Sequence, residues 1–106
     1  MSRYYGMSVT ISKHDPKKVR KIKAAAKGQW PFEDWQGAGE ELRAYAEDSL
    51  YGGETEKQFA ERLALAVWRA NGAYCDVVVD ATYLESLPYE SYCPTEADYA
   101  RLVGKQ

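Results

Sequence analysis

Two segments of the chain alternate between apolar and polar side chains, and this pattern limits the possible folds more than any other feature. In residues 4–12 and again in residues 74–83, every second side chain is apolar. These side chains are Tyr5, Met7, Val9 and Ile11 in the first segment, and Cys75, Val77, Val79 and Ala81 in the second. A period of two is typical of a strand with one buried face and one polar face. The sequence therefore predicts an antiparallel sheet with helices covering its apolar face.

The first predicted helix follows the first strand. Asp15 is a suitable N-cap, Pro16 fits the first helical position, and Gly28 is a natural stop. Its apolar side chains recur at spacings of three and four, which indicates one narrow buried face. These side chains are Val19, Ile22 and Ala26.

The second predicted helix is the clearest element of the sequence. Thr55 and Gln58 have the spacing of a capping box, and Gly72 ends the helix. A broad apolar stripe runs along it, formed by Phe59, Leu63, Ala66, Val67 and Ala70. Such a stripe predicts a helix packed against the sheet.

Residues 29–36, QWPFEDWQ, predict a short strand at the edge of the sheet, because Pro31 cannot donate to a central ladder. Residues 41–50 fit either a helix or a strand. We predict a strand, since Gly52 and Gly53 would turn the chain tightly into the second helix.

A short helix, capped by Thr95 and Asp98, closes the chain. The element order predicts a single α+β domain over residues 1–106. Its fold would be a ferredoxin-like split βαβ (β-α-β-β-α-β), an antiparallel sheet with two helices on one face, plus the short C-terminal helix. Strands 4–12 and 74–83 would be adjacent at the centre of the sheet.

Residues 50–103 resemble a group of small uncharacterised proteins carried by phages and prophages. The resemblance lies in the Gly-Gly before the Glu-rich helix start, the VWRANG helix end and the ATYLESLPYE run. It covers about half the chain and brings no catalytic motif, so it assigns no site residues. What it implies is a phage-related setting with the function left open.

Charge is unevenly distributed along the chain. Residues 1–28 contain eight Lys or Arg and one acid, whereas residues 29–106 contain six Lys or Arg and fifteen acids. The predicted helix 16–27 is therefore basic on its outer side, which makes a nucleic-acid-associated accessory role one alternative. Its candidate residues are Lys17, Arg20, Lys21 and Lys27. Against it, Asp76 and Asp80 lie on the open side of the sheet, where they would repel phosphate, and no RNA-recognition signature is present.

Catalysis is a weaker alternative. A small enzyme would have to use His14, the only histidine, with Asp15, or the acidic sheet face. Sequence neighbours such as His14 and Asp15 do not face each other well, and Asp15 is needed as a cap. No phosphate-binding loop or metal-ligand spacing is present. The sequence therefore predicts a protein that is not an enzyme, with no catalytic residues, no metal and no cofactor.

Two cysteines, Cys75 and Cys93, do not make a disulfide framework, and no apolar stretch approaches the length of a membrane span. The sequence has no secretory signal. We expect a cytoplasmic protein with reduced thiols and no membrane partner.

Trp68 does not fit the apolar stripe of the second helix. It lies on the opposite side, so either the C-terminal segment covers it or a partner does. The residues placed in this candidate interface are Trp68, Tyr92, Tyr99 and Leu102. The sequence therefore predicts a non-catalytic domain that binds another protein or associates with itself as a homodimer.

Overall fold

The alternating N-terminal segment forms β1 (Arg3–Ser12), and the rest of the chain is arranged around it. The structure is a computed structural model that describes residues 3–37, 41–50, 54–83 and 90–103. The elements that follow β1 are α1 (Val19–Lys27), β2 (Glu41–Leu50), α2 (Glu56–Asn71), β3 (Asp76–Tyr83), β4 (Glu90–Tyr92) and α3 (Glu96–Val103). The protein is thus an α+β structure, as predicted.

The sheet has four strands in the order β2-β1-β3-β4, and every neighbouring pair is antiparallel. On β1, Ile11 is opposite Leu42 of β2 on one side and Val77 of β3 on the other. The prediction that strands 4–12 and 74–83 are adjacent at the centre is confirmed. Residues 41–50 form a strand, which also confirms the choice made between helix and strand.

The predicted edge strand at residues 29–36 is wrong. Only Gln36 pairs with β2, through two backbone hydrogen bonds with Arg43 of 2.7 and 2.9 Å. Pro31 has no amide hydrogen to donate, and the segment instead places Trp30 and Phe32 in the core. The segment lies beside β2 without extending the sheet, which covers part of an otherwise open strand edge.

The fourth strand of the sheet is β4, at the opposite edge. There Ser91 is opposite Asp80 of β3. The sequence of this segment fits either irregular or extended chain. The tight turn predicted at Gly52 and Gly53 lies outside the described residues.

The helix caps agree with the sequence. Asp15 accepts a hydrogen bond from the Lys17 amide at 2.9 Å, and Pro16–Lys18 forms a 3₁₀ turn that leads into α1. On α2, Thr55 and Gln58 form the complete capping box. Gly72 ends α2 at φ 82°, a left-handed conformation that glycine adopts without strain.

The core lies between the inner face of the sheet and the two long helices. The helix side chains at its centre are fully buried, and they are Ile22, Phe59, Leu63 and Val67. They pack against the apolar side chains of β1, β2 and β3. Within the described part of the chain, no helix is long and apolar enough to cross a membrane.

Candidate functional site

The outer side of the sheet, which we call the open face, is not covered by any described element. Its side chains come from the polar positions of β1, β2 and β3. On it lie Tyr4, Gly6, Ser8, Thr10, Arg43, Tyr45, Glu47, Val78 and Asp80. The helices lie on the other side, so the alternation that builds the core also produces this surface.

Two tyrosines dominate the open face. Tyr4 is 47% exposed and Tyr45 is 51% exposed, and they are the large hydrophobic side chains with most exposure in the described chain. Tyr45 lies over Gly6, where a Cβ atom would collide with the Tyr45 hydroxyl. Glycine at this position therefore lets the ring lie flat across β1.

Tyr45 is held in place by a hydrogen bond. Its hydroxyl donates to Glu47 Oε2 at 2.8 Å. Partial burial raises the pKa of Tyr45 above its ordinary value, and the hydrogen bond and negative charge of Glu47 add to this. The phenol is thus kept neutral and oriented, with one edge of its ring next to a carboxylate.

Acidic groups accompany the tyrosines. Glu47 lies opposite Gly6, and Asp80 lies opposite Ser8 and accepts a hydrogen bond from the Ser91 hydroxyl. Neither carboxylate has a cationic partner among the described residues. By contrast, Asp76 is 3.5 Å from Lys13 Nζ. The centre of the open face therefore combines exposed aromatic rings with two carboxylates that no described lysine or arginine pairs with.

A groove of about 400 Å³ lies beside Tyr45 at the β2 edge of this surface. Ser8, Asp34, Gln36 and Arg43 also line it. Arg43 is 3.4 Å from Glu41, so its charge is balanced on its own strand. The groove extends the open face onto the segment that runs beside β2.

Lysine and arginine side chains cover the outer side of α1 and of the 3₁₀ turn before it. The four that the sequence singled out are exposed, and they are Lys17, Arg20, Lys21 and Lys27. Lys27 is 4.0 Å from Glu33. Among the described residues, the other three have no acidic partner. We call these four residues the basic stripe.

Of the two covers that the sequence allowed for Trp68, a partner or the C-terminal segment, the structure has the second, because this side chain is buried with 1% of its surface exposed. Tyr99 of α3 packs edge-on against it with ring centroids 5.3 Å apart, and its Nε1 donates to the Cys75 carbonyl at 2.8 Å. The C-terminal segment, and not a partner, therefore covers Trp68.

The other three interface candidates also contribute to the fold. Tyr92, Tyr99 and Leu102 are half-buried and pack against the core. The Tyr92 hydroxyl donates to Glu90 at 3.0 Å. The structure brings Trp68 and Tyr99 together in a packed aromatic cluster, so Trp68 and Tyr99 do not form an exposed binding surface.

His14 and Asp15 do not form a hydrogen-bonded pair. His14 is 7% exposed, and neither of its ring nitrogens has a hydrogen-bond partner in the described structure. The Asp15 carboxylate is used in capping. The described residues also contain no group of three His, Cys, Asp or Glu side chains placed to hold a metal ion.

The two thiols lie in different environments. Cys75 is buried, and this burial raises the pKa of its thiol to about 11, with Asp76 contributing through its charge. Cys93 is exposed. We expect a thiol reagent at neutral pH to modify Cys93 in the folded protein and both cysteines in denaturant. Cys93→Ser is the control and should remove the fast reaction, so fast labelling of that variant would contradict the burial of Cys75.

Alkaline pH should destabilise the protein through the Cys75 thiol and through Tyr74. Burial raises the pKa of Tyr74 to about 12, and a hydrogen bond from its hydroxyl to Asp76 adds to this. The folded state holds both groups neutral. Their contribution to stability is therefore intact below pH 9, the ordinary value of the thiol, and is lost as the pH rises towards 11 and 12. Denaturant midpoints measured from pH 8 to 11 should fall, and the fall should be smaller in Cys75→Ala.

Sequence reasoning did not identify Tyr45 as a surface residue. The signal was present, since Tyr45 shares its side of the strand with Arg43 and Glu47. It was hidden because the same segment also fits a helix.

Comparison of the chain with protein-family models, with curated proteins and with solved structures gives no match.

Proposed function

We propose that the protein is a non-catalytic binding domain that uses the open face to bind another protein. The observation that carries the proposal is the pair of half-exposed tyrosines, Tyr4 and Tyr45, on a sheet surface that no described element covers. Tyrosine is enriched among the residues that contribute most to protein interfaces, because it buries a large ring at little entropic cost.

The acidic groups indicate the chemistry of the bound surface. Glu47 accepts a hydrogen bond from Tyr45, Asp80 lies across β1 from it, and neither has a cationic partner among the described residues. A lysine or arginine side chain would gain both an ion pair and a contact with the face of an aromatic ring. A protein with a basic surface therefore fits the open face better than an acidic one or a nucleic acid.

The test is binding by a variant in which both tyrosines are replaced. Proteins retained by the immobilised chain from its native host are purified and titrated against the wild type and against Tyr4→Ser/Tyr45→Ser. We expect affinity to fall by about 30-fold, which corresponds to about 2 kcal/mol for residues at the centre of an interface.

The control for this titration is Lys57→Ser/Arg69→Ser, two exposed positions on α2, the helix that covers the inner face of the sheet. It should bind as the wild type does. Gly6→Ala provides an independent check, because the new methyl group displaces the Tyr45 ring and should also weaken binding. A purified partner that binds the tyrosine variant with unchanged affinity would show that another surface is used.

The basic stripe supports nucleic-acid binding as a second candidate function. Three of its four cations lack acidic partners in the described structure, and such a surface attracts phosphate. If it binds nucleic acid, replacing Lys17, Arg20 and Lys21 with Glu abolishes binding while the protein stays folded. We expect the wild type to bind DNA and RNA no more tightly than about micromolar at physiological salt, the level of non-specific contacts. Nanomolar, salt-sensitive binding would make this the principal function.

The fold supports a finer assignment, which is part of the same proposal. The three long strands have the relative order that a ferredoxin-like split βαβ would give them. Gln36 bonds to the outer edge of β2, where the missing strand of that fold would lie. In this interpretation, residues 29–36 occupy the place of that edge strand without forming it, and β4 is an addition at the opposite edge.

A further inference from the structure

The open face and the basic stripe lie on opposite sides of the molecule. Ile22 and Ala26 of α1 point into the core, so the basic stripe on the other side of that helix points away from the sheet. The open face points away from the helices in the other direction. The molecule measures 37 × 31 × 21 Å, and the basic stripe lies on the side opposite the open-face carboxylates Glu47 and Asp80.

The charges on the two surfaces also have similar spacing. Glu47 and Asp80 lie on the strands either side of β1 and are offset by two residues along it, which places them about 12 Å apart. Arg20 and Lys27 are separated by two turns of α1, which is about 10 Å. Both cations lie on the same side of the helix, because two turns return a side chain to almost the same direction.

We propose that the protein which occupies the open face is a second copy of this chain, docked through its basic stripe. In this arrangement Arg20 of one copy lies over the Tyr45 ring beside Glu47 of the next, and Lys27 lies near Asp80. The contacts combine ion pairs with a cation over an aromatic face. This inference rests on the proposed role of the open face as a binding surface.

Docking of this kind uses two different surfaces, one from each copy. It therefore leaves one open face and one basic stripe free at the ends of every assembly, and it leads to chains of increasing length instead of a closed dimer. Because the attraction is between charges at the surface, it weakens as salt shortens the range of electrostatic forces.

The first measurement is the average mass of the nuclease-treated protein by sedimentation, over a range of concentrations and at two ionic strengths. At about 0.01 M salt, where charges act over about 30 Å, the mass should rise continuously with concentration. At about 1 M salt it should be that of the monomer. A protein that stays monomeric at low salt and high concentration would overturn the inference.

The second measurement is the association of variants in which the charge of one surface is changed. Arg20→Glu/Lys21→Glu cancels the positive charge of the four-residue stripe, and Glu47→Lys/Asp80→Lys makes the open face basic. Each variant alone should be monomeric, because the first has lost the positive charge of its stripe and the second carries positive charge on both surfaces. An equimolar mixture should associate again, since each variant supplies the surface that the other has lost. Circular dichroism and thermal unfolding establish that both variants are folded.

The matched control for Arg20→Glu/Lys21→Glu is Lys57→Glu/Arg69→Glu, which makes the same change in net charge on exposed positions of α2. It should associate as the wild type does. Association of either charge variant alone, or a mixture that remains monomeric, would contradict docking of the stripe on the open face. If a different protein then binds in a manner that depends on Tyr4 and Tyr45, the proposed function holds and only the identity of the partner changes.

Discussion

Trp68→Ala is expected to lower the free energy of unfolding by about 3–5 kcal/mol, the range for removing a large aromatic side chain from a core. Trp68 is in contact with Tyr74 and Tyr99, so its loss leaves a cavity where α2, α3 and the start of β3 meet. The Cys75 carbonyl also loses the hydrogen bond it accepts from the indole. Chemical denaturation followed by circular dichroism measures the change.

Two further variants make this result specific. Trp68→Phe keeps an aromatic ring and removes the indole N–H, so it should cost less than Trp68→Ala. Lys21→Ala, on the exposed side of α1, should cost less than about 0.5 kcal/mol. A Trp68→Ala protein as stable as Lys21→Ala would mean that the C-terminal segment does not cover this side chain in solution.

Phe32→Ala is expected to cost about 3–5 kcal/mol, although Phe32 belongs to neither a helix nor a strand. Its side chain is fully buried and packs against Trp35, with ring centroids 5.8 Å apart. The segment that runs beside β2 is therefore attached mainly through its side chains. Denaturation midpoints again provide the measurement.

Glu33→Ala is the matched control for this experiment. Its side chain is exposed, and its nearest cation, Lys27, is 4.0 Å away. Such a surface pair contributes less than about 1 kcal/mol. If Phe32→Ala and Glu33→Ala have the same stability, the segment is not part of the core and the edge of β2 is more open than the structure indicates.

The features that the sequence predicted correctly are determined by interactions between residues that are close in sequence. The Thr55–Gln58 capping box and the Gly72 helix end are fixed by groups within a few residues of one another. The alternation in β1 and β3 reports directly which side of each strand is buried. Such signals do not depend on distant parts of the chain, so they are visible in the sequence.

The open alternatives and the errors arise where distant parts of the chain decide the outcome. The sequence left Trp68 open between cover by the C-terminal segment and cover by a partner, because its apolar stripe shows only one buried side of α2, whereas the sheet covers one side and α3 covers another. Trp30 and Phe32 alternate as strand residues do, but alternation reports burial and not backbone pairing. Whether residues 29–36 form backbone hydrogen bonds with β2 depends on how the two segments meet in the fold. Pro31 also has no amide hydrogen to donate to such a ladder.

The central position of β1 has a consequence for how the protein folds. β1 is made first, yet one of its neighbours is β3, and Tyr5 is paired with Tyr83 from the far part of the sequence. Pairings between such distant residues require a large loop to close before any contact is gained, so they slow folding. We expect folding in milliseconds to seconds, typical of chains dominated by distant contacts. An N-terminal fragment that ends before β3 would leave the backbone amide and carbonyl groups along one edge of β1 unpaired, so the first half of the chain depends on the second to become stable.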